Sequence, residues 1–112
     1  MMHSKIIFTL LFLFAIALAS RTQADDAVVE LRFENHRFIP QTITVPANQP
    51  LKIKITNASK KAIEFESFKL NREKVVGPGE SVIVVLPALR PGSYDFYDDF
   101  HQDVPEGTIT AK

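Results

Sequence analysis

From Leu51 to Asn57 the chain alternates without a break, with Leu51, Ile53 and Ile55 set against Lys52, Lys54 and Thr56. In an extended strand a period of two sends every apolar side chain of such a run to one face. The same pattern returns in short segments separated by proline- and glycine-rich turns, which leaves little room for a long amphipathic helix. Strands are predicted at Val28 to Glu34, Thr42 to Val45, Leu51 to Asn57, Ala62 to Glu66, Ser81 to Leu86, Tyr94 to Asp98 and Gly107 to Ala111. Ser81 to Leu86 is nearly all apolar and is expected to be well buried. Between the strands lie Asn35 to Pro40, Pro46 to Pro50, Ala58 to Lys61, Gly77-Pro78-Gly79 and Pro91-Gly92 as loops and turns. Residues 67–76 are ambiguous, with a short helical turn around Phe68 to Arg72 one reading. About seven strands at this spacing imply an all-β, antiparallel or mixed two-sheet sandwich.

A different grammar governs the beginning. Lys5 precedes an uncharged apolar run, Ile6 to Ala19, which has the length of a signal-peptide core and is too short to span a bilayer as a helix. Small residues permit cleavage after Ala19 or after Ala24. The second is preferred because Asp25-Asp26 opens a polar sequence, giving a signal peptide at 1–24 and one domain at 25–112. An uncleaved anchor is the alternative. Export to the periplasm is therefore expected. The absence of cysteine excludes a lipid-modified terminus and any disulfide, so burial alone must hold the domain together.

Removing Lys5 and Arg21 with that segment leaves 11 basic and 13 acidic residues, a formal charge of −2. That is no footprint for nucleic acid. The charge is unevenly placed: from Ser93 onward there are five acids and one base. One end of the fold is negative and suits a cation.

The segment Gly92-Ser93-Tyr94-Asp95-Phe96-Tyr97-Asp98-Asp99-Phe100-His101, followed by Gly107-Thr108-Ile109-Thr110, resembles the last two strands of cupredoxins. Arg37 to Val45 and Lys54 to Asn57 are similar to earlier strands of that family, so the likeness covers nearly the whole exported part. It implies a cupredoxin-like Greek-key sandwich. In the family pattern Asp98 stands where the ligand cysteine would be, His101 keeps the C-terminal histidine position, and Val104-Pro105-Glu106 fills the axial-methionine region. Blue copper needs a thiolate, two imidazoles and usually a thioether. The only methionines, Met1 and Met2, lie in the leader, so a blue-copper electron carrier is excluded.

A narrower likeness rests on Ala62-Ile63-Glu64-Phe65-Glu66-Ser67, Glu73-Lys74-Val75, Pro78-Gly79-Glu80 and Asp98-Asp99-Phe100-His101. These are similar to the EfeO-type cupredoxin-like domains of bacterial high-affinity iron uptake. That resemblance implies a periplasmic accessory role beside an iron permease and other iron-uptake proteins, with carboxylates in place of soft ligands.

The residues also support a reading of their own. With Tyr94 and Phe96 turned inward, Asp98 falls on the same face at the end of its strand, where a lone carboxylate is costly unless paired. If the Glu64 strand neighbours that end, as in a cupredoxin, Glu66, Asp98 and His101 converge at one pole, with Glu64, Glu73 and Asp99 as further candidates. Carboxylates with one imidazole make a hard site suited to an iron ion and tolerant of a Cu(II) copper ion. Blander roles stand beside this. Glu64 and Glu66 can form a solvated face paired with Lys60, Lys61 or Lys74, and Asp98 and Asp99 can cap a turn. His101 can be an ordinary loop histidine. His36, in a loop expected to hold no acids, reads as structural or exposed; Tyr94, Phe96 and Phe100 read as core. No nucleophile, phosphate-cradling or helical zinc motif is present and no small organic substrate suggests itself, so a non-enzymatic protein is expected. The leading expectation is a periplasmic iron- or copper-binding accessory of an iron transport system; the alternative is a metal-free β-sandwich interaction module of the cell envelope.

Overall fold

The computed structural model describes residues 27–112. The expected signal peptide, its cleavage site and the domain boundary at 24/25 fall outside the described residues. Nine strands and no helix make up the described chain: β1 (Ala27–Glu34), β2 (Arg37–Ile39), β3 (Thr42–Val45), β4 (Leu51–Asn57), β5 (Ile63–Ser67), β6 (Arg72–Val76), β7 (Ser81–Leu86), β8 (Gly92–Asp98) and β9 (Gly107–Ala111). They form two sheets, ordered β2-β1-β4-β7 and β3-β9-β8-β5-β6. The expected all-β sandwich is the observed architecture. Most neighbours are antiparallel, but β1 runs parallel to β4 and β3 runs parallel to β9.

The alternation in β4 becomes the buried face of the first sheet: Leu51, Ile53 and Ile55 are almost wholly excluded from water while the lysines between them are not. Four aromatic rings tie the sheets together. Phe38 meets Phe33 and Phe96 edge-on, with ring centres 5.2 and 5.0 Å apart, and Phe96 leans on Phe65 at 5.2 Å. Burying each such ring stabilises the fold by roughly 1.5–3 kcal/mol, and each ring pair adds about 0.5–1.5 kcal/mol. The register explains how Phe96 fits. It stands opposite Gly107 in the β8–β9 ladder, where the missing side chain leaves room for the ring; a Cβ there would lie 2.2 Å from it.

Two strands exceed the expected seven. The span expected to be an unbroken loop, 35–40, contains β2. The ambiguous segment resolves as a hydrogen-bonded turn, Asn71 N–H to Phe68 carbonyl at 3.1 Å, followed by β6 in place of a helical turn. Strand β7 corrects the expectation of full burial. It is the last strand of its sheet, whose outer face is uncovered, so Ile83 and Val85 are about half exposed while Val84 and Leu86 are buried. Phe100 is likewise no core residue. It follows the end of β8 and is half exposed.

Asn57, fully buried at the end of β4, organises the loop that follows. Its side-chain amide donates to the carbonyls of Lys61 (2.7 Å) and Val76 (3.0 Å), and its oxygen accepts from the Ser59 N–H and hydroxyl. All its polar atoms are thereby satisfied, which a buried amide requires.

Candidate metal centre

Strand β5 does neighbour the end of β8, as the site requires, but the register decides which side chains meet. Phe65 pairs with Asp98 and Glu66 pairs with Tyr97. Asp98 thus goes inward with Phe65, and Glu66 goes to the outer face with Tyr97. The expected convergence of Glu66 with Asp98 and His101 at one pole does not occur. The six candidates divide into two groups on opposite sides of the sheet.

The outer group is acidic. Glu64, Glu66 and Asp99 each offer a carboxylate oxygen, and these oxygens lie within 4.8 Å of one another. Glu73 stands opposite Glu66 across the β5–β6 ladder. No ion pair joins Glu64 or Glu66 to Lys60, Lys61 or Lys74 among the described residues. The concentration of like charge bears on how these groups ionise. Burial, then the charge of Glu73, the contact with Asp99 and the charges of Asp99 and Glu66 push the Glu64 carboxyl above the usual carboxylate range. Burial, then the charges of Glu66, Asp99 and Glu106, push the Tyr97 phenol up as well. Such a face is short of positive charge. Three oxygens at this spacing can share one hard cation, for which carboxylates are the preferred donors.

The inner group is a carboxylate–imidazole pair. Asp98 is wholly buried and its acceptors are occupied: Oδ1 accepts from the N–H groups of Glu64 and Phe100, both at 3.0 Å, and Oδ2 from His101 Nδ1 at 2.7 Å. The turn-capping role considered for this aspartate is realised, and it orients His101 at the same time. Sequence reasoning missed the neighbours of this pair. His36 is not without acids: its Nε2 meets Asp103 Oδ2 at 2.8 Å, across 67 residues of sequence. That contact holds the Asp103 carboxyl below its ordinary value. The His36 and His101 rings lie 6.3 Å apart. Only the topology, which folds the β1–β2 hairpin against the segment after β8, brings them together.

A blue-copper centre does not fit these donors. The chain has no cysteine, the Asp98 that the resemblance sets at the thiolate position is a carboxylate already engaged in three hydrogen bonds, and both methionines lie at the extreme N-terminus.

A family model described as "Cupredoxin-like domain" matches residues 6–111. An uncharacterized protein of Rickettsia prowazekii (strain Madrid E) is 41% identical over 81 residues, which are 72% of this chain and 65% of that protein. The chain thus spans just under two thirds of that relative's length. Among solved structures, the metal binding domain of the Streptococcus pneumoniae D39 Cu(I) exporting P-type ATPase CopA superposes with a TM-score of 0.68 at 14% identity, covering 80% of this chain and 91% of that one. Auracyanin from Roseiflexus castenholzii gives 0.64 at 18%, covering 80% and 99%. Auracyanin A from Chloroflexus aurantiacus gives 0.66 at 15%, covering 79% and 100%. At these identities the likeness concerns the fold.

Proposed function

Because the chain belongs to the cupredoxin-like domain family yet has no cysteine, and no methionine beyond Met1 and Met2, we propose that it is a metal-binding accessory protein of an iron transport system, exported to the periplasm. The observation that carries this reading is the carboxylate trio Glu64, Glu66 and Asp99, with oxygens within 4.8 Å of one another. All-oxygen donors favour an iron ion over soft Cu(I), while Cu(II) is tolerated. Glu73 adds charge from the neighbouring strand. The EfeO-type likeness of the segments Ala62 to Ser67, Glu73 to Val75, Pro78 to Glu80 and Asp98 to His101 supports the assignment to iron uptake and to an iron permease as partner. The apolar run at 6–19 supports export.

Calorimetric titration of the protein with Fe(II), Fe(III) and Cu(II) tests the binding. Affinity tighter than about millimolar, which corresponds to roughly 4 kcal/mol, is expected, and it should fall in Glu64→Gln with Glu66→Gln. Weaker binding for all three ions ends the reading. Slower growth of a deletion strain under iron limitation, relieved by the wild-type gene and not by the double variant, tests the transport role.

One observation favours the alternative, a metal-free interaction module. Val28 and Val85 flank Lys52 on the uncovered face of the first sheet, with Ile83 beside them, and all three apolar side chains are about half exposed. A partner that co-purifies with the wild type, and is lost on Val28→Ser with Val85→Ser but kept in the acid variants, would favour that module.

A further inference from the structure

We infer that the cleft between His36 and His101 is a second cation site, for a late first-row divalent ion such as Cu(II) or Zn(II), separate from the carboxylate face. The cleft has a volume of about 190 Å³ and is lined by Phe33, His36, Ser59, Lys60, Lys61 and His101. Its chemistry follows from what each imidazole is already bonded to. A carboxylate oxygen accepts and does not donate. In the neutral ring, Asp98 Oδ2, 2.7 Å from His101 Nδ1, therefore selects the tautomer with the hydrogen on Nδ1 and the lone pair on Nε2. Asp103 Oδ2, 2.8 Å from His36 Nε2, does the same there and leaves Nδ1 with its lone pair. In its neutral form each imidazole, backed by a carboxylate, offers a lone pair on the nitrogen that the carboxylate does not engage. That makes them ligands for a metal and poor donors for an anion. A carboxylate behind each imidazole is the arrangement that orients metal-bound histidines and raises their basicity.

The spacing is within reach of one ion. With nitrogen–metal bonds of about 2.0–2.1 Å, two imidazoles on one ion have ring centres roughly 4.5 Å apart at a right-angled bite and about 6.3 Å apart at a linear one. The observed separation is 6.3 Å, so a tetrahedral bite, with the two free nitrogens turned toward one ion, needs a closure of about 1 Å. His36 can make that move, because its side chain is 54% exposed. Asn35 and His36 form the two-residue turn between β1 and β2 with φ of 52° and 60°, a left-handed conformation that asparagine and histidine adopt more readily than most residues, and the turn sets the imidazole at the tip of the hairpin. Lys60 and Lys61 are exposed and can swing into water, and their charge lowers the affinity without removing the ligands.

Titration of the full chain carrying His3→Ala with Cu(II), followed by electron paramagnetic resonance, tests this site apart from the other. The spectrum is expected to show two nitrogen couplings. His36→Ala or His101→Ala should each remove one and weaken binding at least about tenfold, and Asp103→Asn should weaken it about 10–100-fold. Glu64→Gln with Glu66→Gln should leave the couplings in place. The inference is overturned if no nitrogen couples, if both couplings survive loss of either histidine, or if they vanish in the carboxylate variant while its amide spectrum stays native.

Discussion

The carboxylate of Asp98 accepts a hydrogen bond at 3.0 Å from the main-chain N–H of Glu64, while Asp99 N–H donates to the Glu64 carbonyl at 2.9 Å. One buried acid on the inner side of the sheet thereby fixes the backbone that presents another acid on the outer side. The same aspartate holds His101. The carboxylate face and the imidazole cleft are mechanically joined through one side chain, although they share no ligand.

Removing that side chain should be severe. Asp98→Ala leaves two backbone N–H groups and the His101 Nδ1 without their partner in a fully buried place, an expected loss of about 3–5 kcal/mol. Asp98→Asn keeps an acceptor for both N–H groups and can donate to His101 in its other tautomer, so about 1–2 kcal/mol is expected. Urea unfolding of both variants measures this; equal losses would contradict the assigned roles.

Glu64 should behave in the opposite way. Its carboxyl is held above the ordinary range, so the ionised form opposes folding without a cation. At pH values above its folded-state titration the destabilisation is complete, and as the pH falls through that range it is relieved. Glu64→Gln should therefore raise the melting temperature of the cation-free protein near neutral pH, with the gain shrinking as the two curves converge in acid. The same substitution should weaken binding of a hard cation about tenfold. A lower melting temperature together with unchanged binding would remove Glu64 from the site.

Asp103 supplies a pH effect of the other sign. The His36 contact holds its carboxyl below the ordinary value, so the stabilisation it contributes is present above that value and is lost as the pH falls through the lowered one. Because the group is largely exposed, the effect should be small. Subtracting the acid-unfolding curve of Asp103→Asn from that of the wild type should show a loss confined to that acid range; a flat difference would mean the contact does not persist in solution.

Gly107→Ala probes the packing between the sheets. The added methyl meets the Phe96 ring at 2.2 Å, and Phe96 is wedged between Phe38 and Phe65. A loss of about 2–3 kcal/mol is expected. In combination with Phe96→Leu the two losses should be clearly less than additive, which a double-mutant cycle reads directly.

The strands with unbroken alternation, β3, β4 and β9, and the short apolar run of β7 lie where the sequence pattern puts them, and the sandwich follows from the number and spacing of such segments. The short strand β2 escapes because Phe38 is the sole buried residue among its three, too little for a period to register. Strand β6 escapes because it closes its sheet and carries Arg72, Glu73 and Lys74 in succession. The grouping of the acids was only half legible. A local pattern tells that Glu64 and Glu66 share a side and that Asp98 faces inward. It does not tell the pairing register between β5 and β8, and a shift of one residue there exchanges the faces. The His36–Asp103 contact has no local signal, since it is made only when the whole chain has closed.

Strand β9 lies between β3 and β8, with its parallel bonds to β3 joining residues 42–45 to residues 108–111. The second sheet can therefore be completed only after the last segment is available to slide between two others. Pairings this distant slow the search for the native state and make truncation at that end especially damaging. A chain built this way holds its second sheet open, with the facing edges of β3 and β8 unpaired, until residues 107–111 take their place between them.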